Sequence, residues 1–171
     1  MAKRAVFLGI IGIVAISAAY LPSVSGIFAQ EEKTEPVKKE QIKISDEAKL
    51  AFDKGMEFYG KGNYDKSIAA FKEAAKIEPK YAQAYCEMGV AYMEKEDFKD
   101  AIPNILKSIE IQPIYPKAHY AVAVAYARQE KPDIANARKH VDLAAQQGYM
   151  VVPWFLDYLK RLEEAQNPPK K

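Results

Sequence analysis

Between residues 46 and 149, small and large apolar positions recur with a period of 34 residues, longer than any single helix or strand accounts for. Gly55 returns as Gly89 and Ala123, Phe58 as Tyr92 and Tyr126, and Ala51 as Tyr85 and His119. A second set follows inside each unit: Tyr64 with Phe98, Ser67 with Ala101, Phe71 with Ile105, Ala74 with Ser108, and Pro79 with Pro113. Within each set the intervals are helical, so every unit predicts two helices joined by a short turn. The third unit keeps step through Tyr126 and then slips. Its second helix aligns once two extra residues are allowed around Lys131 to Asn136, which brings Ala137, Val141 and Ala144 into place.

The recurring small residue has a physical reason. A glycine inside a helix costs about 1 kcal/mol relative to alanine, so finding one at the same place twice implies that close helix approach offsets the penalty. Pro79 and Pro113 end the second helices, whereas Pro103 falls early within one and predicts a kink without a break. Ser45, followed by Asp46 and Glu47, predicts the start of the first helix. After Gly148, a C-cap residue, Pro153 fits a first turn, and Val152, Phe155, Leu156, Leu159 and Leu162 form one stripe that predicts a last helix covering the stack. Trp154 and Tyr158 lie one turn apart, off that stripe: either a second contact surface or a pair packed on the preceding hairpin.

The recurring small residue, the aromatic three further on, then Tyr or Phe, Ala, a large apolar residue, Ala and Pro together resemble the tetratricopeptide repeat signature over about residues 46–149. The resemblance implies an all-α protein, a right-handed superhelix of antiparallel helix hairpins; with the last helix this makes about seven helices, and the apolar pattern of residues 1–29 adds an N-terminal signal or anchor helix before them. The repeats fall at about 48–81, 82–115 and 116–149, with the capping helix at about 151–166, inside a domain spanning 45–166. Residues 167–171 form a polar tail.

The resemblance also implies a concave face lined by the first helix of each pair and open to an extended peptide or a helix. Projected onto this chain, that face takes Lys49, Phe52, Asp53, Met56 and Tyr59 from the first unit and Gln83, Cys86, Glu87, Val90 and Met93 from the second. Lys117, Tyr120, Ala121, Val124 and Arg128 come from the third. Similar repeats that clamp the acidic C-terminus of cytosolic heat-shock chaperones place Lys, Asn and Arg at such sites; here Phe52, Met56 and Glu87 stand in three of those places. The expectation is therefore an apolar groove without a carboxylate clamp, either open or filled by neighbouring side chains.

Composition narrows the choice of partner. Residues 1–29 read as a targeting segment, Ala2-Lys3-Arg4 leading into an uncharged run from Ala5 to Leu21, with candidate cleavage after Ala29 or Gly26. Retention as a membrane anchor is the alternative, since a run of about 17 apolar residues is the lower limit for spanning. Residues 30–44 are charged and read as a flexible linker. Of the 25 Lys and Arg and 23 Asp and Glu, only Lys3 and Arg4 lie in the first segment, so the rest is near neutral and no basic stripe argues for nucleic acid. The expected partner is a protein or peptide, and the expected location is the periplasm or cell envelope. The single cysteine, Cys86, excludes an intramolecular disulfide, so helix packing must supply the stability.

Catalytic chemistry has little to stand on. Cys86 and His119 are the one pair of nucleophile and base types, but no orienting group or pocket accompanies them, and His119 occupies the place of a packing aromatic. His119 and His140 are 21 positions apart with no ligand-type neighbour at short spacing, and Gly55, Gly60 and Gly62 form no phosphate loop. No metal and no cofactor are expected, and the chain reads as a non-enzymatic scaffold. A membrane-anchored structural subunit is the second reading, and a thiol-dependent factor using Cys86 a distant third.

Overall fold

The computed structural model describes residues 43–167; the targeting segment, most of the linker and the last four residues lie outside the described part. Within it the chain forms seven helices and no strand: α1 (Asp46–Gly60), α2 (Tyr64–Ile77), α3 (Ala82–Glu94), α4 (Phe98–Ile111), α5 (Pro116–Arg128), α6 (Ile134–Gln146) and α7 (Pro153–Gln166). Each helix packs on the next, and α3 also touches α5. The result is a stack of three antiparallel hairpins, with α1, α3 and α5 in one layer and α2, α4 and α6 in the other.

The hairpin turns explain why the helices begin where they do. Asn63, Asp97 and Asp133 each place a side-chain oxygen on the amide three residues ahead, at 3.2, 3.2 and 3.0 Å, satisfying a donor that the helix itself leaves free. Ser45 caps α1 in the same way through the Ala48 amide at 3.2 Å. The first two turns contain a residue in the left-handed region, Gly62 at φ 69° and Glu96 at φ 59°, the glutamate holding a conformation that suits glycine. Between α5 and α6 the connection runs from Gln129 to Asp133, two residues longer than the other two, which is the slip expected in the third unit.

The contacts within hairpins fix their spacing. Gly55 and Gly89 let α1 onto Phe71 and α3 onto Ile105, and the Ser67 hydroxyl donates to the Gly55 carbonyl at 2.9 Å across the same crossing. Phe71, Ile105 and Val141 are equivalent residues of α2, α4 and α6, exposed by 0%, 0% and 1% respectively. Pro103 leaves α4 unbroken, and the Asn104 side-chain amide donates to the Asp100 carbonyl at 2.7 Å beside it.

The last helix departs in one respect from its expected stripe. Phe155 and Leu159 are buried and Val152 and Leu162 partly so, but Leu156 points outward, because α7 meets the stack along a narrower face than five apolar residues span. Tyr158 and Trp154 separate: the Tyr158 hydroxyl donates to the Ala127 carbonyl at 3.2 Å, while Trp154 remains 62% exposed.

Candidate partner-binding groove

Gly55 and Gly89 face the second helix of their own hairpins, so the opposite sides of α1, α3 and α5 form the inner surface of the stack. Helical spacing puts Asp53 and Met56 of α1, Glu87, Val90 and Glu94 of α3, and Val124 of α5 on or beside that surface. Met56 is 40% exposed, Val90 and Val124 are half-buried, and Gln83, Asp53 and Glu94 are exposed. An open surface with apolar ground and polar margins is therefore present.

The other expected groove residues divide according to how far they reach into the stack. Cys86, Met93 and Ala121 belong to the core between hairpins, so their side chains support the groove from beneath and do not line it. Phe52 wedges between Phe71 and Tyr81, with ring centroids at 5.3 and 5.2 Å. Tyr120 stacks on Tyr149 at 4.8 Å and meets Phe155 edge-on at 5.5 Å, which closes the groove at its third-repeat end. Lys49 reaches Asp46 at 3.1 Å, and Arg128 lies 5.7 Å over the Phe98 ring.

Two contacts tie neighbouring repeats together across the inner surface. Lys117 of α5 forms an ion pair with Glu87 of α3, whose side chain is only 10% exposed. Burial works to lower the Lys117 pKa, but the hydrogen bond and charge of Glu87 outweigh it and hold the ammonium above its usual range. Tyr59 of α1 donates to Glu94 of α3 at 3.5 Å; burial, reinforced by the Glu94 charge, pushes its phenol up to about 12. Burial likewise pushes the Cys86 thiol up to about 12, far from the thiolate that nucleophilic chemistry needs.

Three residues beside the groove escaped the sequence reading although a signal was available. Tyr81, Tyr115 and Tyr149 stand 34 residues apart, the first two immediately before α3 and α5 and the third four residues before α7. They pack on Phe52, Cys86 and Tyr120 respectively, so one tyrosine per repeat boundary seals the seam between hairpins. Glu94 holds the same repeat position as Arg128, one of the expected groove residues, so the 34-residue period already pointed to it.

The structure also joins two residues that sequence spacing kept apart. His119 and His140 are both buried, with Nδ1 atoms 3.0 Å apart, and His119 Nε2 lies 3.2 Å from the Pro113 carbonyl. That carbonyl takes only a donor, so neutral His119 carries its proton on Nε2, and the His140 Nδ1–H donates to His119 Nδ1. Burial, then the neighbouring His119 and Lys139, hold the His140 pKa down at about 4. Between that value and the ordinary 6.5 the unfolded chain binds the proton and the folded chain does not, so stability falls as pH falls through this window. Allowing for partial hydration of the ring, the expected loss from pH 7 to 4 attributable to this site is about 1–2 kcal/mol. Urea unfolding of His119→Phe/His140→Leu beside the parent checks it: the variant should show a correspondingly flatter acid limb.

Among the described residues no group of three or more His, Cys, Asp or Glu is placed to hold a metal ion, and no helix is long and apolar enough to cross a membrane.

Known proteins place this arrangement in a class. A family model described as tetratricopeptide repeat matches residues 82–115, and one described as TPR repeat matches residues 55–95. The chain carries tetratricopeptide repeats, and its fold is the α-solenoid such repeats build. The first TPR of Spaghetti (RPAP3), bound to the HSP90 peptide SRMEEVD, is similar with a TM-score of 0.64 at 18% identity, over 71% of this chain and 94% of that one. The TPR2B domain of yeast Sti1, in a pHsp70 complex, gives 0.62 at 24% identity, over 72% and 100%. The Arabidopsis OM64 TPR domain gives 0.61 at 22% identity, over 68% and 94%. No curated protein matches the sequence.

Proposed function

We propose that this protein is a non-enzymatic adaptor of the cell envelope that holds a peptide or helix of a partner protein against the inner surface of α1, α3 and α5. The observation that carries the reading is the open ground around Met56, Val90 and Val124, flanked by charged side chains that reach solvent. Similar solved domains with bound peptides, from Spaghetti (RPAP3) and yeast Sti1, support this use of the fold. The envelope setting rests on the sequence of residues 1–29, and N-terminal sequencing of the mature protein tests it: a processed end supports release, an intact Met1 a membrane anchor.

The groove itself is tested by placing photo-crosslinking residues at Met56 and Val90, with Lys76 and Asn104 on the outer layer as controls. Partner capture is expected from the first pair alone. Equal capture from both pairs would favour the second reading, a structural subunit that works through its outer face. The buried, protonated thiol speaks against a role for Cys86, and Cys86→Ser is expected to retain partner binding.

A further inference from the structure

We infer that the groove selects a cationic segment, one in which lysine or arginine side chains accompany apolar residues, and that it turns away acidic peptides; this rests on the adaptor reading above. The argument is one of charge complementarity across the inner surface. Asp53 and Glu94 are exposed there, and neither is paired with a cation among the described residues. Asp53 lies near the Tyr81 phenol and Glu94 accepts from the Tyr59 hydroxyl, so neither carboxylate meets a basic side chain among those residues and both stand at the margin of the apolar ground around Met56 and Val90. An unpaired carboxylate at the edge of apolar ground is what a lysine or arginine side chain meets favourably, through charge at its head and contact along its stem.

The cations of the same surface are already engaged within the protein. Glu87 takes the ammonium of Lys117, Asp46 takes that of Lys49, and the Arg128 guanidinium lies over Phe98. An incoming carboxylate would meet a Lys117 ammonium already neutralised by Glu87 and would lie close to that carboxylate as well. It could take the ammonium for itself only by leaving the 10%-exposed Glu87 without its partner, which is strongly unfavourable. Glu87 is therefore a specificity residue: it neutralises the groove's central cation and so removes the feature that would attract an acidic tail. The acidic peptide SRMEEVD held by the Spaghetti (RPAP3) domain is of the class this groove would refuse.

Selection of a random displayed-peptide library on the full chain tests the inference without knowledge of the partner. Recovered peptides should be enriched in Lys and Arg over Asp and Glu. The best of them should bind about fivefold more weakly to Asp53→Asn/Glu94→Gln, and more weakly as salt is raised. The matched outer-layer variant Glu73→Gln/Asp100→Asn should bind as the parent does. Glu87→Gln, which frees Lys117, should gain measurable affinity for SRMEEVD.

Enrichment of acidic or uncharged peptides that still compete at Met56 would overturn the charge preference and leave the groove intact. Recovery of no peptide, or of peptides indifferent to substitutions at Met56 and Val90, would remove the groove together with the preference. Basic peptides weakened equally by the outer-layer variant would show attraction to net charge alone and overturn the assignment to Asp53 and Glu94.

Discussion

Replacing Phe155 by alanine is expected to lower the unfolding free energy by about 3–5 kcal/mol, the range for deleting a fully buried aromatic ring. The ring is 1% exposed and fills the space between α7 and the third hairpin, against Tyr120, Ala123, Ala127, Ala137 and Val141. Ala127, Ala137 and Leu159 are also fully buried, so helix backbones set the width of the space and it cannot readily collapse. Domains of this size have about 5–15 kcal/mol in total, so the change removes a large share of what holds the stack together. Trp154→Ala, one residue away and 62% exposed, should move the urea midpoint little, within about 0.5 kcal/mol. A loss below about 1 kcal/mol for Phe155→Ala would mean that α7 is not part of the cooperative unit. Because the vacated face is the apolar end of the third repeat, the variant should also associate at concentrations where the parent remains dispersed.

The repeat architecture was legible because one physical constraint acts at the same place three times. Gly55, Gly89 and Ala123 mark the crossing, and Phe71, Ile105 and Val141 fill it; a periodic contact leaves a periodic sequence. Even the irregular turn before α6 could be read, since Ala137, Val141 and Ala144 keep their helical intervals after two inserted residues. Leu156 was misplaced for a corresponding reason. A stripe names one side of a helix, but the width of the contact depends on the neighbour, and among the described residues α7 packs on the third hairpin.

The candidate groove was less legible, because burial within a stack depends on side-chain reach and not on which side of a helix a residue occupies. Cys86 and Val90 share a side of α3 by spacing, yet the first is enclosed by the next hairpin while the second still meets solvent. The ion pair of Glu87 with Lys117 and the histidine pair join residues 30 and 21 positions apart, and neither interval carries meaning until the hairpins are stacked. The tyrosines at 81, 115 and 149 were the exception, a periodic signal present in the sequence throughout. Their seam-sealing role connects stability to recognition: the inner surface keeps its shape only while adjacent first-layer helices hold their spacing.

That spacing is tested most directly at Gly89, where alanine is expected to destabilise the protein although it is the better helix former. A Cβ there would stand 2.4 Å from Ile105 Cγ1 and 2.8 Å from the Ala101 carbonyl oxygen. The isoleucine is fully buried and the carbonyl belongs to the α4 backbone, so neither can give way without moving one helix of the hairpin. The helix-propensity gain of about 1 kcal/mol is outweighed by overpacking of up to about 3 kcal/mol, for a net loss of about 1–2 kcal/mol. Gly60→Ala isolates the propensity effect, since a Cβ at that exposed helical position meets nothing within 4 Å. It should raise stability by about 0.5–1 kcal/mol, so the two identical substitutions are expected to shift the unfolding midpoint in opposite directions. Stabilisation at both sites would show that the first-layer helices do not depend on glycine for close approach. At Gly89 the strain should also reach function: pushing α3 away from α4 moves Val90 and Glu87 together, so partner crosslinking from Val90 should fall at temperatures where the variant is still folded.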